Sequence, residues 1–534
     1  MCDGWLGVGD LRILIVTGTL AEESVRRYAS ESKREVDVMA LPVSVAAFIT
    51  PELASKALRA PWVRKYDLIL LPGYVRGDVS RVEAAAGVPT FKGPIHAADL
   101  MVVLDMIDQI ELSKTVPASE ILKDELRRKA AAEIDRVNAN WSDLLSRKGG
   151  MIIGSAGHEV PIGHAFPMRV IAEIVNAPTL ELGTIPKLAH YYEAEGADII
   201  DIGMLAGKPQ PERIVGMVEA VRSATTRPIS IDTLEPSEIE AAIDSGVDLV
   251  LSVDSGNMAE VASAIQDTPV VVLPSNMKEG RLPRKAEDRV GMLAQNIQKA
   301  MDLGMTKLIA DPVLEPAIQP GLMESLTSYK LFRRIDETTP MLFGLGNVTE
   351  LIDVDSPGVN GLLSALACEV GANLLFVPEF SAKARGSVRE TSTASKMMFL
   401  SERKETVPKD LGIDLLILKE KRWREEPYER HLEEAIDVIK SRGYASVQMD
   451  MRGWFKIEVD RDDRMITAIH YPYERSDPDS LIKGADATEV YGTIVRRGLV
   501  SSLYHAAYLG KELEKAGIAL RLGRSYVQDE DLFP

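Results

Sequence analysis

Eight short apolar runs that alternate with helix-like segments constrain the fold of the central part of this chain. The first run is "MRVIAEI" (168–174) and the last is "NLLFVPE" (373–379). Between them lie segments such as "EDRVGMLAQNIQKAMDLG", which ends at a glycine suited to a helix C-cap. Eight strands that alternate with helices over about 230 residues are typical of a (β/α)8 barrel. The sequence therefore predicts this barrel, with a doubly wound open sheet as the alternative.

Carboxylate and amide side chains occur where these predicted strands end. A single aspartate after a strand is usually a helix N-cap. In a (β/α)8 barrel, however, the chemistry lies at the carboxyl ends of the strands, so several such residues on one rim indicate a binding site. Asp232 and Asp311 are the best candidates, because loop residues follow them directly. The residues at or just beyond the strand ends are Asn176, Asp201, Asp232, Asp254, Asp311, Asn347 and Glu379.

The region before the barrel, residues 1–149, has the pattern of a separate α/β domain. Runs such as "RILIVTG" and "YDLILLPG" resemble buried parallel strands, so we predict a Rossmann-like domain. The segment "VTGTLAEES" has one glycine where a dinucleotide fingerprint needs three, so we expect no cofactor in this domain. Residues 118–148 predict a charged amphipathic helix that leads to the barrel, which we place at residues 150–400.

Residues 401–534 predict a small α+β domain. The segment 412–423 is expected to form a strand, 428–443 a helix, and 454–472 a hairpin around an acidic turn. The stretch 486–520 is strongly helical, and Gly498 and Gly510 are its expected breaks.

Charge and cysteine content exclude several classes of protein. The formal net charge of −18 repels phosphates, so we expect no nucleic-acid partner and no binding to anionic membranes. Two cysteines in 534 residues give no disulfide framework, which fits a reducing cytoplasm. Signal-peptide and membrane-spanning patterns are not found, so we expect a cytoplasmic protein.

Three segments, in order along the chain, resemble the pterin-binding barrel of dihydropteroate synthases and pterin-dependent methyltransferases. In the synthases, "GADIIDIG" corresponds to a GADIIDIGGEST strand, and "RPISIDTLEPSEIEAAIDSGVDLVLSVDSG" to a SIDT strand, a helix and an INDVSG strand. The segment "LIADPVLEP" corresponds to a DPGIGF loop. This resemblance covers roughly residues 168–390. With "GLVSSLYHAAYLGKELEKA" and "GRSYVQDEDLF" near its end, the whole chain resembles the archaeal dihydropteroate synthase-related proteins.

A pterin ligand explains why these strands end in carboxylates. Its 2-amino-4-oxo edge carries a row of N–H donors, and a buried carboxylate accepts two of them as a bidentate pair. By resemblance, Asp311 binds this edge and Asp232 contacts the other ring, with Asp201 in the same pterin site. Asn176 stands where the synthases hold a metal-bound diphosphate, which implies Mg²⁺. Arg385 and Arg389 stand where the synthases bind an anionic substrate group.

Three positions depart from the synthase pattern. Ser252 replaces a pterin-binding Asn. Asn347 and Val348, in "FGLGNVTE", replace an Arg and a Lys. In the methyltransferases the matching segment carries an Asn beside the ring nitrogen that bears the methyl group, and Asn347 fits that pattern better. His158 and His164 are weaker candidates for residues at the barrel mouth.

Three functions follow from the resemblance. The first is a dihydropteroate synthase-like transferase, which joins a hydroxymethyl-dihydropterin diphosphate to an aminobenzoate-type arylamine in folate or methanopterin biosynthesis. Asn176, Asn347 and Arg389 would be its catalytic residues. The second is a methyl-tetrahydropterin-dependent methyltransferase. This chain has no D-x-H-x-x-G pattern, so that function needs a corrinoid protein as partner. The third is a non-catalytic pterin-binding protein. We expect a homodimer.

Overall fold

The structure of the protein, a computed structural model, describes residues 11–32, 34–146, 149–155, 157–421, 431–441 and 449–533. The chain forms two compact units, one up to residue 427 and one from residue 428. Within the described residues, no helix is both long enough and apolar enough to cross a bilayer. The domain boundaries expected at residues 149 and 400 stay predictions. Cys2 lies outside the described residues, and Cys368 is a free thiol.

The N-terminal region is a parallel sheet with helices on both faces. Its strands, in the order β2-β1-β3-β4, are β1 (Ile13–Gly18), β2 (Val36–Leu41), β3 (Leu68–Leu71) and β4 (Thr90–Lys92). Its helices are α1 (Glu22–Ser30), α2 (Pro51–Ala57), α3 (Ser80–Ala86) and α4 (Leu100–Asp105). Leu14 and Val16 pack on one face and Ile13 and Ile15 on the other, because successive side chains of a strand alternate. The predicted α/β fold is confirmed.

The predicted bridging helix is divided into two. These are α5 (Ala118–Ala139) and α6 (Trp141–Leu145). Ala130 and Ile134 of α5 pack against Leu400 and Leu411. A short antiparallel hairpin that the sequence analysis did not predict follows, formed by β5 (Met151–Ile153) and β6 (Val160–Ile162).

The central region is an eight-stranded parallel barrel. All eight predicted strands are present: β7 (Arg169–Ile174), β8 (Ile199–Gly203), β9 (Ile229–Asp232), β10 (Leu249–Val253), β11 (Val270–Val272), β12 (Leu308–Ala310), β13 (Leu342–Phe343) and β14 (Leu374–Pro378). The helices around them are α7 (Ile185–Ala194), α8 (Ile214–Arg222), α9 (Pro236–Asp244), α10 (Met258–Ile265), α11 (Ala286–Asp302), α12 (Leu322–Ile335), α13 (Gly346–Thr349), α14 (Ser356–Glu369) and α15 (Ser387–Arg403).

The barrel closes between β12 and β13. The hydrogen-bonded order runs β12-β11-β10-β9-β8-β7-β14-β13, and a parallel bridge between Ala310 and Met341 joins its two ends. Ala310 N donates to Pro340 O at 2.8 Å across this junction. The open-sheet alternative is therefore wrong, and the (β/α)8 prediction is confirmed.

The β5–β6 hairpin closes the amino-terminal end of the barrel. Ile153 and Ile162 pack against inward-facing residues at the beginning of strands, such as Ile199 and Leu374. Arg169, the first residue of β7, donates from Nε to the carbonyl oxygen of Pro161 at 3.0 Å. Apolar side chains thus fill the amino-terminal end of the barrel interior, and the polar residues lie at the carboxyl-terminal end.

The C-terminal unit is an antiparallel sheet covered by two helices. Its strands β15 (Trp454–Asp460), β16 (Met465–Tyr471) and β17 (Ser480–Gly484) pair in chain order, which confirms the predicted hairpin and the α+β fold. The helices that cover it are α17 (Ala487–Arg496) and α18 (Leu503–Leu522), and the unit also contains the short α16 (Leu432–Ala435).

Three local predictions for residues 401–534 need correction. Residues 412–421 contain no strand, because no neighbouring strand in the described part of the chain pairs with them and the side chains of 416–418 are exposed. Of the helix predicted over 428–443, only α16 is helical within 431–441, and the remaining residues lie outside the described part. Gly498 does end a helical stretch, at φ +65°, whereas Gly510 lies inside the continuous α18.

Candidate functional site

Three adjacent strands direct carboxylates into the barrel near their carboxyl ends. In β8, Ile200 and Ile202 pack outward against the helices, so Asp201 between them points inward. The same alternation directs Glu173 of β7 and Asp232 of β9 to the interior. The strand register places Glu173 opposite Asp201, and these residues lie one layer above the apolar interior.

Glu173, Asp201 and Asp232 form one group, which we call the carboxylate cluster. Each residue has an oxygen within 4.8 Å of an oxygen of the other two. Ser230 Oγ donates to Asp201 Oδ1 at 2.6 Å. Asp201 is completely buried, and its Oδ2 has no hydrogen-bond partner in the described part of the chain.

Burial and the charges of neighbouring carboxylates raise the pKa of every member of the carboxylate cluster. Burial, followed by the charges of Asp232 and Glu350, raises the pKa of Glu173 to about 8. Burial, followed by the charge of Asp311, raises the pKa of Asp232 to about 7. Burial and the charges of its two partners hold the pKa of Asp201 well above its usual range. These carboxyl groups therefore hold protons at a higher pH than free carboxyl groups do, and perturbed pKa values of this kind are common at functional sites.

Asp311 lies directly after β12 and is held by two donors. Val313 N and the hydroxyl of Tyr329 each donate to Asp311 Oδ1 at 2.8 Å. Burial raises the pKa of Asp311 to about 6, while these hydrogen bonds and the charge of Arg289 oppose the rise. Asp311 is therefore mainly ionised at neutral pH. The two hydrogen bonds to Oδ1 also fix the orientation of Oδ2.

Arg289 of α11 fixes the loop that carries Asp311. Its guanidinium is fully buried and donates to Glu315 Oε2 at 2.5 Å, to Val313 O at 3.1 Å and to Pro283 O at 2.9 Å. The chain after β12 is thereby tied to the outer helices, and Asp311 is held in one position.

Asp254 and Ser252 lie at the end of β10. Asp254 accepts hydrogen bonds from Gly256 N (2.7 Å), Ser275 Oγ (2.8 Å) and Met277 N (2.6 Å). These bonds join two loops at the mouth, so Asp254 has a structural role. Ser252 is buried, and its carbonyl accepts a bond from Asn257 Nδ2 at 3.3 Å.

The two asparagines occupy the same rim. Asn176 follows β7 in a left-handed conformation (φ +51°) and is half-buried. Arg213 donates to the carbonyls of Pro178 and Leu180 and fixes the loop beyond it. Asn347, on α13, is exposed and donates from Nδ2 to the carbonyl of Leu314 at 2.8 Å, which links the loops after β13 and β12.

The two arginines predicted to bind an anion lie beside α7. Arg389 Nε is 3.6 Å from Glu195 Oε2, and the Arg385 guanidinium lies 5.8 Å from the ring centre of Tyr191. Both arginines are exposed. Glu379 also contacts this region and accepts from the Tyr191 hydroxyl at 3.0 Å. Within the described residues, neither arginine pairs with the carboxylate cluster or with Asp311, so their anion-binding role stays a prediction.

The histidines considered for the mouth lie at the other end of the barrel. His158 Nδ1 is 2.6 Å from the carbonyl oxygen of Thr226, which precedes β9. A side chain at Gly371, before β14, would meet His164. The prediction that these histidines line the mouth is wrong, because the segment that carries them folds back as the hairpin beneath the barrel.

Sequence analysis missed two residues of the site. Glu173 is the one charged residue inside "VIAEI". It lies two positions after the inward-facing Ile171, so strand alternation places it inside the barrel, and the sequence did contain a signal for it. Tyr329 lies on α12, and only the tertiary fold brings it to Asp311.

Three family profiles match separate parts of the chain. One described as "Pterin binding enzyme" matches residues 178–375, one described as "PterinBD-DUF4346" matches 449–529, and a family of unknown function (DUF6513) matches 11–95. The barrel and both flanking regions therefore each have relatives in other proteins.

The chain is similar along its whole length to one archaeal protein. It is 40% identical over 534 residues to the "Uncharacterized protein MJ0107" of Methanocaldococcus jannaschii, covering 98% of this chain and 99% of that protein. It is 28% identical over 218 residues to a dihydropteroate synthase of Streptococcus pyogenes, covering 35% of this chain and 79% of the synthase. A solved structure of Xanthomonas albilineans dihydropteroate synthase in complex with 7,8-dihydropteroate aligns with a TM-score of 0.38 at 22% identity, covering 48% of this chain and 99% of that one.

Proposed function

Because the chain belongs to the pterin-binding TIM-barrel family of archaeal dihydropteroate synthase-related proteins, we propose that its barrel binds a reduced pterin and catalyses a transfer reaction on it. The pterin would lie at the carboxyl ends of the strands, between Asp311 and Asp232. The position of Asp311 carries this proposal.

Asp311 has the properties that the amino edge of a pterin requires. Its Oδ1 is fixed by two donors, and within the described residues its Oδ2 accepts no hydrogen bond from the protein. An ionised carboxylate held in this way is preorganised to accept two parallel N–H donors, and such charge-assisted bonds are stronger than neutral ones. Asp232, on the same rim, would contact the second ring.

Replacement of Asp311 by Asn tests the binding site. Asp311→Asn should weaken the binding of 6-hydroxymethyl-7,8-dihydropterin by about 2 kcal/mol or more, since an amide cannot accept both donors. Isothermal titration measures this loss, and Asp302→Asn, an exposed change at the end of α11, is the matched control. Unchanged affinity in a folded Asp311→Asn protein would refute the assignment.

The first candidate reaction is displacement of diphosphate by an arylamine. The amine nitrogen attacks the hydroxymethyl carbon of the pterin, a C–N bond forms, the C–O bond to the diphosphate breaks, and the amine loses a proton. The similarity to dihydropteroate synthases and the rim position of Asn176 support this candidate. The barrel residues would act by holding the pterin carbon in line with the amine.

Asn176 fits a magnesium ion that is shared with the substrate. Its side-chain amide provides one neutral, hard oxygen ligand, and Mg²⁺ in such sites takes most of its other ligands from phosphates and water. When bound, Mg²⁺ would neutralise charge on the departing diphosphate. The half-buried position of Asn176 and the loop anchored by Arg213 are suited to this arrangement.

The second candidate reaction is methyl transfer from a methyl-tetrahydropterin, and two neighbouring residues favour it. Val348 is only 4% exposed and cannot replace a lysine that contacts both substrates. Asn347 is exposed on the rim and would lie near the ring nitrogen that carries the methyl group. A corrinoid protein or a thiol would then accept the methyl group.

One experiment separates the two reactions. Hydroxymethyl-dihydropterin diphosphate and 4-aminobenzoate are supplied with and without Mg²⁺, and released diphosphate is measured. We expect Mg²⁺-dependent release that Arg389→Ala lowers more than Asn347→Ala does. Methyl loss from a methyl-tetrahydropterin, with no diphosphate released under any metal condition and with Asn347→Ala the more damaging change, would establish the second reaction. Pterin binding with neither reaction would indicate a binding protein.

A further inference from the structure

We propose that a cavity at the amino-terminal end of the barrel binds a small organic anion, at a site separate from the proposed pterin site. The cavity has a volume of about 380 Å³, and residues of α5, α6, β6, β7 and α15 line it. Its wall contains three cationic side chains, Arg169, Arg227 and Lys396, together with the apolar surfaces of Trp141 and Met168. A few polar groups beside an apolar wall are the usual composition of a site for an organic ligand.

The cavity lies at the end of the barrel opposite to the proposed pterin site. Arg169 is the first residue of β7, Asp198 directly precedes β8, and Arg227 lies shortly before β9. At about 3.3 Å per residue, the strand between Arg169 and Glu173 separates the cavity from the carboxylate cluster by roughly 13 Å. None of the described residues that we assign to the pterin lines this cavity.

Arg169 is fixed in the cavity wall and still has unused donors. It is 8% exposed, its Nε donates to Pro161 O at 3.0 Å, and its Nη2 donates to Asn138 Oδ1 at 3.0 Å. Nη1 lies 3.6 Å from Asp198 Oδ1, a distance that allows an ion pair but is too long for a hydrogen bond. A guanidinium has more N–H donors than these two, so Arg169 can still donate to a ligand.

The other two cations also lack acceptors. Arg227 Nε is buried and makes no hydrogen bond within the described residues, although Glu193 Oε1 lies 3.2 Å away. Lys396 of α15 is half-buried, and it forms neither a hydrogen bond nor an ion pair with the described part of the chain. Donors removed from water without an acceptor are unfavourable, so a ligand that accepts from these groups would bind favourably.

The lining determines the class of ligand. Its cations outnumber its carboxylates, which are Asp198 and Glu159, although the whole chain has a formal net charge of −18. Asp198 Oδ2 already accepts from Val170 N at 2.9 Å, and Glu159 is exposed. Guanidinium and ammonium donors favour carboxylate and phosphate oxygens, and Trp141 and Met168 provide apolar contact for the rest of the molecule. The cavity therefore suits a carboxylate or phosphate ester that carries an apolar body.

Isothermal titration of four probes into the full chain tests the proposal. The probes are 1-naphthyl phosphate, 1-naphthoate, 1-naphthol and inorganic phosphate. We expect a single molecule of either naphthyl anion to bind each chain at pH 7.5. We expect 1-naphthol and inorganic phosphate to bind at least about tenfold more weakly, because one lacks the charge and the other lacks the apolar body. The naphthyl anion that binds more tightly identifies the head group that the cavity prefers.

Variants of Lys396 connect this binding to the cavity. Lys396→Gln should weaken the binding of the tighter probe by about tenfold or more, since it removes a charged donor that has no other partner. Lys396→Arg should restore most of the affinity, because it restores the cation. Lys187→Gln, at an exposed lysine of α7, is the matched control and should leave the affinity unchanged.

Two variants at the barrel mouth separate this site from the proposed pterin site. Asp311→Asn and Arg389→Ala should bind the probe as tightly as the wild type does, because neither residue lines the cavity. Unchanged binding in Lys396→Gln, or loss of binding in Arg389→Ala, would place the probe elsewhere and overturn the proposal. It is also wrong if neither naphthyl anion binds at millimolar concentration, or if 1-naphthol or inorganic phosphate binds as tightly as they do. None of these results depends on whether the barrel binds a pterin.

Discussion

The hydroxyl of Tyr329 should set the pH range in which the barrel binds a pterin. It donates to Asp311 at 2.8 Å, and the Tyr329→Phe change removes this donor while the ring keeps its packing against Phe343, 4.9 Å away between ring centres. The hydrogen bond favours the ionised carboxylate, so its loss raises the pKa of Asp311 further.

The size of this effect follows from the strength of the bond. A hydrogen bond to a charged group contributes about 1.5–3 kcal/mol, which corresponds to roughly 1–2 pKa units at 1.36 kcal/mol per unit. The pKa of Asp311 should therefore rise from about 6 to roughly 7–8 in Tyr329→Phe. Only the ionised form accepts both pterin donors, so affinity is full above the pKa and is lost as the pH falls through it.

Titration of 6-hydroxymethyl-7,8-dihydropterin between pH 5 and 8.5 measures this shift. At pH 6.5 the variant should bind roughly three- to twenty-five-fold more weakly than the wild type, and at pH 8.5 the difference should shrink to less than about 1.5-fold. Asp311→Asn, which has no carboxylate to titrate at this position, should lack the transition. An equal loss of affinity at every pH would show that Tyr329 acts through packing alone and would refute the reasoning.

Three further predictions concern stability. Asp254→Ala should destabilise the barrel by about 2–4 kcal/mol, because three donors lose their acceptor. Hydrogen exchange of peptides from β10 measures this loss of stability, and an unchanged exchange rate would contradict the structural role of Asp254. Arg289→Met should destabilise it by about 3–5 kcal/mol by leaving the Glu315 carboxylate buried and unpaired, as urea unfolding would report. Gly498→Ala should lower the stability of the C-terminal unit by about 1 kcal/mol, because Gly498 has φ +65°. Gly510→Ala should instead raise this stability by about 0.5–1 kcal/mol, because Gly510 lies inside α18. Equal effects of the two variants in thermal unfolding would contradict the assignment of Gly498 to the end of a helix and Gly510 to the interior of one.

The barrel was predictable because its signal is repeated. Eight apolar runs of similar length, each closed by a polar or turn residue, leave few alternative folds, and every run became a strand. The positions of Asp232 and Asp311 at the carboxyl ends followed from the same pattern. An isolated apolar run has no such support: 412–421 has the composition of a strand but no partner to pair with among the described residues.

Contacts between distant elements could not be predicted from the sequence. Tyr329 reaches Asp311 from the following helix, and the helical pattern of α12 does not show which of its buried residues faces the mouth. The sequence also could not show that Asp254 is saturated with hydrogen bonds while Asp201 retains an unpaired oxygen. That distinction depends on the loops around each strand end, and the two residues look alike as strand-end aspartates.

The hairpin of β5 and β6 has a kinetic consequence. Because Ile153 and Ile162 fill the amino-terminal end of the barrel, every ligand must enter and leave through the opposite opening. A pterin bound at the carboxylates would occupy the inner part of a pocket with a single opening, and the second reactant would bind between the pterin and that opening. If the barrel catalyses the proposed transfer, we expect a compulsory order, in which the pterin binds first and its product leaves last. Steady-state inhibition by the pterin product should consequently be competitive toward the pterin and non-competitive toward the other reactant.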